Sequence, residues 1–156
     1  MRRQRPSLLR DKRGYVSLMV IIYCLIAFAA FTAEYFRIIG IREEAENIIQ
    51  RAINTALEER LRDPIRWDFI SELDVPGAWQ TFDRVLRVDA RLDQNYRHLS
   101  SDGRMVWGIE ILDRHNSQRP AFLQVEGVIR TRSILSFLSG DVLLPFNVKS
   151  KNLRLD

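Results

Sequence analysis

Few side chains in this 156-residue sequence have the types and spacing that catalysis or metal binding requires. The two histidines, His98 and His115, lie far apart in the chain and form no ligand pair such as His-x-x-x-His. Cys24 is the single cysteine, so neither a disulfide within the chain nor a thiolate cluster can form. We therefore predict no metal site, and we expect both histidines to lie on surface loops.

The carboxylates of Asp89 and Asp93 have the spacing of an acid–base pair, because residues four apart approach each other on a helix. Arginines at positions 87, 91 and 97 surround them, which favours a charge-paired helix face in contact with solvent. No serine lies in a nucleophile-elbow motif, and no glycine-rich phosphate loop occurs. The sequence thus predicts a protein that is not an enzyme and that binds no cofactor.

Positive charge is concentrated at the N-terminus. Residues 1–13 contain six of the 24 Lys and Arg residues and one of the 20 Asp and Glu residues, so the remainder is close to neutral. A nucleic-acid-binding domain usually carries its basic residues on a folded face. We therefore expect no nucleic-acid partner.

A run of 20 residues without charge or proline follows, residues 14–33. As a helix it would be about 30 Å long, which matches the hydrocarbon core of a bilayer. We predict a single transmembrane helix over residues 15–33, behind a basic leader, residues 1–14, that stays in the cytoplasm. The run is longer than an export signal requires, and the helical pattern continues beyond it, so a permanent anchor in the cell membrane is favoured over simple cleavage.

The helical pattern changes character after the run. Apolar residues recur at steps of three and four, as in an amphipathic helix: Ile38, Ile41, Ala45, Ile48, Ala52 and Ala56, widened by Tyr35, Ile39, Ile49, Ile53, Leu57 and Leu61. Asp63 and Pro64 are predicted to end the helix. Since only Gly40 weakens it, we expect one helix over residues 15–62 whose extracytoplasmic part needs a partner surface for its apolar stripe.

Glu34 stands at the predicted membrane boundary. It could pair with Arg37, one helical turn further on. It could instead neutralise a charge on a neighbouring subunit, or it could face the lipid headgroups. The sequence leaves these three interpretations open.

The region after residue 64 begins with a second predicted helix. Apolar side chains at helical spacing, including Trp79, Phe82 and Leu86, predict an amphipathic helix over residues 78–96, with a strand over residues 85–92 as the alternative. The polar residues 93–104 are expected to form an exposed loop.

Alternation of apolar and polar residues then predicts strands. Residues 104–113 and 121–132 are expected to form an antiparallel hairpin around a turn at residues 114–120. A short helix over residues 133–140 and a final strand over residues 142–155 follow, and Pro145 in that strand favours a sheet edge or a strand start.

These elements define an α+β fold in which a long N-terminal transmembrane-plus-amphipathic helix packs on a small antiparallel sheet of three or four strands. The predicted divisions are the leader (1–14), the transmembrane helix (15–33), its extramembrane continuation (34–63) and a small α+β domain (64–156).

The order of parts resembles the TadE-like proteins of tight-adherence pilus systems and, more broadly, type IV pilin-like proteins. The resemblance rests on the leader ending "DKRG", the "AEYFR" at the exit of the apolar run, the long helix and the closing "SFLSGDVLLPFNVKSKNLRL". It implies a pilin-like fold and a minor pilin or pseudopilin that associates with other pilin-like subunits or pilus-assembly membrane proteins. It also implies cleavage by a prepilin peptidase between Gly14 and Tyr15.

One position departs from that family pattern. Pilin-like chains usually carry glutamate at the fifth mature position, where this sequence has Met19. The departure favours a retained leader, and so an anchored assembly protein rather than a bulk filament subunit. The alternative function is a single-pass membrane protein whose outer domain binds a partner in an envelope complex, which a loop-borne pocket near residues 95–103 or 115–118 would favour.

Overall fold

The computed structural model describes residues 12–62, 72–118, 121–134 and 140–150. Its first element, α1, is a helix over Lys12–Arg60 that passes through Gly40 without interruption. Helix α1 ends two residues earlier than expected because Leu61 and Arg62 form a short strand, β1 (Leu61–Arg62), which pairs antiparallel with β2 (Glu72–Leu73). Asp63 and Pro64, the predicted end of the helix, lie outside the described residues.

The chain divides into two compact units, Met1–Arg37 and Ile38–Asp156. In the described part of the first unit, every side chain of residues 14–31 is exposed. This stretch gives α1 the length and apolar composition that a membrane-spanning helix needs, and none of it is buried within the protein. The first unit thus contains one candidate membrane-spanning helix near the N-terminus, compatible with single-pass anchoring.

The second unit contains a four-stranded antiparallel sheet. Its strands are β3 (Arg97–Leu99), β4 (Met105–Gln118), β5 (Ala121–Arg132) and β6 (Asp141–Lys149), and they lie in that order across the sheet. The α+β class and the hairpin of β4 and β5 are therefore confirmed. Pro145 lies in the edge strand β6, as its missing backbone donor predicts.

Helix α2 (Val75–Arg84) confirms the second predicted helix. The Asp74 carboxylate accepts a hydrogen bond from the Gly77 backbone N–H at 3.4 Å and so caps the first turn. The chain then continues into a π-helical turn (Val85–Asp89). The alternative strand over residues 85–92 is wrong, and the helical region ends earlier than expected because Arg91 adopts a positive φ of 55°.

The apolar stripe of α1 lies in one core with α2 and the sheet. Buried residues of α1 such as Ile49 and Ile53 share this core with Phe82 and Leu86 of the second helical region and with the inner face of the sheet, which contributes Trp107, Ile109, Leu123, Val125, Ile129, Phe146 and Val148. The sheet is thus the partner surface that the amphipathic part of α1 was predicted to need.

Two predicted loops contain strands. Residues 97–99 of the expected loop form β3, which pairs with β4 and places His98 opposite Trp107. The expected turn at residues 114–118 belongs to β4, so His115 also lies on a strand. The pattern of alternating side chains did not predict this part of β4, because pairing with β5 satisfies the backbone N–H and C=O groups of polar residues as well as those of apolar residues. A bulge at Leu112 separates this polar half of β4 from its apolar half.

Asp89 and Asp93 do not form a pair on one helix. Asp89 is the last residue of the π-helical turn, and Asp93 lies beyond it. The Asp93 Oδ1 atom accepts the backbone N–H groups of Asn95 and Arg97, each at 2.8 Å, and so caps a turn before β3. The predicted helix at residues 133–140 falls largely outside the described residues.

Candidate membrane-boundary site

Glu34 and Arg37 form a bidentate ion pair at the end of the apolar run. The Arg37 Nε atom donates to Glu34 Oε2 at 2.8 Å, and Nη2 donates to Oε1 at 3.0 Å. Their three-residue spacing puts both side chains on neighbouring turns of α1. The hydrogen bond that Arg37 donates to Glu34, together with the negative charge of Glu34, raises the pKa of Arg37 against the opposing effect of burial. The Glu34 side chain is only 9 % exposed.

This geometry confirms the first of the three interpretations of Glu34, pairing with Arg37. A bidentate contact of this kind cancels one negative and one positive charge within a single turn. Contact with lipid headgroups, or with a charge on a neighbouring subunit, remains a prediction.

Aromatic side chains lie at both ends of the apolar run. Tyr35 and Phe36 are exposed, with ring centres 5.8 Å apart and planes at 68°, an edge-to-face arrangement. Tyr15 is exposed at the other end. Gly14 and Tyr15, the residues on either side of the expected cleavage bond, both lie within α1, near the N-terminal end of its described part.

A second polar cluster lies in the α+β unit, and we name it the Asp83 clasp (Asp83, Tyr96 and Arg114, with the ring of Trp79). Both the Tyr96 hydroxyl and Arg114 Nη2 donate to Asp83 Oδ1 at 2.8 Å. The Arg114 guanidinium lies 5.2 Å from the centre of the Trp79 ring. The clasp joins α2 to the polar half of β4, so it holds the helix against the sheet.

The Asp83 clasp could not be found by sequence reasoning. Its members are separated by up to 35 positions and form no motif, and Arg114 was assigned to a turn. Tyr96 also has a positive φ of 55°, which is unusual for a bulky residue and consistent with a tertiary contact that fixes its side chain.

We predict that Asp83→Asn lowers the free energy of unfolding by about 1–2 kcal/mol, because Arg114 loses its carboxylate partner in a half-buried contact. The measurement is denaturant unfolding of the full chain in detergent, followed by tryptophan fluorescence. Glu110→Gln is the matched control, since Glu110 pairs with Arg130 in a more exposed contact, at 3.1 Å. Its expected cost is about 0.5 kcal/mol or less. Equal effects of the two substitutions would contradict a special role for the clasp.

The two histidines are the remaining candidate groups, and each of them contacts a neighbouring side chain. His98 stacks on Trp107 with ring centres 5.3 Å apart, and His115 lies within 3.3 Å of Asp113. Across the described ranges, no three His, Cys, Asp or Glu side chains form a group that could hold a metal ion. Nor does any buried side-chain nitrogen or oxygen there lack a hydrogen-bond partner.

Fold and site together define an α+β protein with an N-terminal helix that is long and apolar enough to cross a membrane and carries a neutralised ion pair at the end of its apolar run. Comparison of the chain with protein-family models, with curated proteins and with solved structures finds no match.

Proposed function

We propose that this chain is a membrane-anchored, pilin-like component, a minor pilin or pseudopilin, of a type IV or Tad-like pilus or secretion assembly. The observation that carries the proposal is the two-part character of α1. Its first part exposes an apolar surface over residues 14–31, and its second part contributes Ile41, Ala45 and Ile49 to the core of an α+β unit. An apolar exposed helix can contact lipid, and it can equally pack against like helices in an assembly.

The N-terminus takes part in the proposed process. The basic leader, residues 1–14, stays on the cytoplasmic side and orients the helix. A prepilin peptidase would cut between Gly14 and Tyr15, but Met19 occupies the position where the peptidase's usual substrates carry glutamate. Retention of the leader is therefore favoured, and the protein would act as an anchored assembly factor beside the filament subunits.

The test is deletion of the coding sequence in the source organism, with surface filaments counted by electron microscopy. We expect loss of the filaments, and their recovery when the full chain is restored. N-terminal sequencing of the membrane-extracted protein separates the two forms of the proposal, since a start at Tyr15 indicates a processed subunit and an uncut leader indicates an assembly factor. Filament numbers unchanged by the deletion would refute both forms.

The second candidate function is a single-pass membrane protein whose outer domain binds a partner in an envelope complex. Met19 favours it, because this function requires no processing at Gly14. The loop expected to form a pocket at residues 115–118 is part of β4, so a binding surface there would be a strand rather than a loop. Neighbouring genes for a sensor kinase or transporter, in place of a secretion ATPase and a prepilin peptidase, would support this alternative.

A further inference from the structure

Exposed aromatic rings lie at both ends of the apolar run in α1, as well as within it at Tyr23, Phe28 and Phe31. Tyr15 is 67 % exposed, and Tyr35 and Phe36 are 62 % and 66 % exposed. Tyr15 and Tyr35 are 20 positions apart, which is about 30 Å along a helix and equals the thickness of a bilayer hydrocarbon core. Tyrosine is among the side chains that concentrate at membrane–water interfaces, because its ring is apolar and its hydroxyl is polar.

The charges near the second aromatic group cancel. Glu34 and Arg37 flank Tyr35 and Phe36 in the sequence. The bidentate ion pair between Glu34 and Arg37 leaves this helical turn without net charge. An unpaired carboxylate at the edge of the hydrocarbon layer would be strongly unfavourable. Because it is paired with Arg37, the Glu34 carboxylate can lie directly after the last residue of the apolar run.

We propose that the exposed rings of Tyr35 and Phe36, within residues 34–37, which we name the boundary turn, bind the headgroup layer of one leaflet and that Tyr15 binds that of the other, so that these aromatic residues fix the depth of α1 in the bilayer. This inference rests on the membrane anchoring in the proposed function. The midpoint between Tyr15 and Tyr35 is position 25, so the inference places Cys24 next to the bilayer midplane. The boundary turn also sets where the extramembrane part of α1 begins.

The chain is well suited to a depth measurement because Cys24 is its only cysteine. A nitroxide is attached to Cys24 of the detergent-solubilised full chain, which is then reconstituted into phosphatidylcholine vesicles. Accessibility to oxygen and to a polar nickel complex gives the depth of the label. We expect the Cys24 label at the bilayer centre and a label on Ala33→Cys, in a Cys24→Ser background, about 13 Å closer to the headgroups.

The decisive comparison removes the aromatic rings while the label stays at Cys24. In the double variant Tyr35→Ala/Phe36→Ala we expect the label to shift by about one helical turn, roughly 5 Å. The matched control is Phe28→Ala/Phe31→Ala, which removes two exposed rings from within the apolar run. There we expect the Cys24 label to keep its depth, because both rings lie within the apolar run and not at either end of it.

The possible outcomes test the inference and the proposed function separately. A Cys24 label that keeps its depth in the Tyr35→Ala/Phe36→Ala variant, or that shifts equally in both double variants, overturns the role of the boundary turn and leaves membrane anchoring intact. Labels at positions 24 and 33 that are both fully accessible to the nickel complex and excluded from lipid would overturn the inference and the anchoring together.

Discussion

Replacement of Ile49 by aspartate is expected to lower the free energy of unfolding of the α+β unit by about 2–4 kcal/mol. Ile49 is fully buried and belongs to the apolar core that also contains Leu123 and Val125. An aspartate within this apolar core would lose its hydration without gaining a partner. Tryptophan fluorescence during denaturant unfolding reports this unit, since Trp79 lies in α2 and Trp107 in β4.

The control for this prediction lies two positions earlier on the same helix. Asn47 is exposed, so Asn47→Asp adds a carboxylate to α1 without burying it, and the two residues have similar helix propensities. We expect a change of no more than about 0.5 kcal/mol. If Ile49→Asp were as well tolerated as Asn47→Asp, the apolar stripe of α1 would not be part of the core.

The second large effect is expected at Gly127, where Gly127→Ala should destabilise the protein by about 2–3 kcal/mol. Gly127 lies on β5 opposite Ile111, where the backbone of β4 approaches closely. An added Cβ would collide with the Glu110 carbonyl oxygen and would lie 2.8 and 2.9 Å from two atoms of the Phe146 ring. The carbonyl oxygen belongs to the paired backbone and cannot move aside without breaking the ladder.

Gly140→Ala is the matched substitution for Gly127→Ala. A Cβ at Gly140 would meet no atom of the described residues within 4 Å, so the free energy of unfolding of the Gly140→Ala variant should change by about 0.5 kcal/mol or less. Denaturant unfolding of both variants in detergent gives the comparison. If Gly127→Ala lowered the free energy of unfolding by no more than Gly140→Ala does, then β4 and β5 would be shown to separate easily at this point.

The predictable part of this fold is the part governed by periodicity. The apolar stripe of α1 and the alternation in β5 indicate their elements because burial selects residue type at every third, fourth or second position. The alternation in β5 puts Leu123, Val125 and Ile129 on one face of the strand, and all three are buried. Pro145 was predicted on a different ground, since its missing N–H group favours a sheet edge or a strand start, and it lies in the edge strand β6.

The missed features depend on contacts between distant residues. Strand β3 and the polar half of β4 carry no alternation, because their backbone is paired while many of their side chains face solvent. At the candidate site, pairing of Glu34 with Arg37 could be anticipated from a spacing of three residues. The low exposure of Glu34 could not, since Glu34 is not a member of the apolar stripe of α1 and a charged side chain is normally expected to be exposed.

Pro145 also affects whether another β-strand can add to this sheet. Among the described residues, strand β6 forms one side of the sheet, and a side strand of this kind is normally a template on which a strand of another molecule can add. Proline offers no N–H group for such an intermolecular ladder, which is therefore interrupted near its middle. This interruption disfavours edge-to-edge aggregation of the α+β unit through β6.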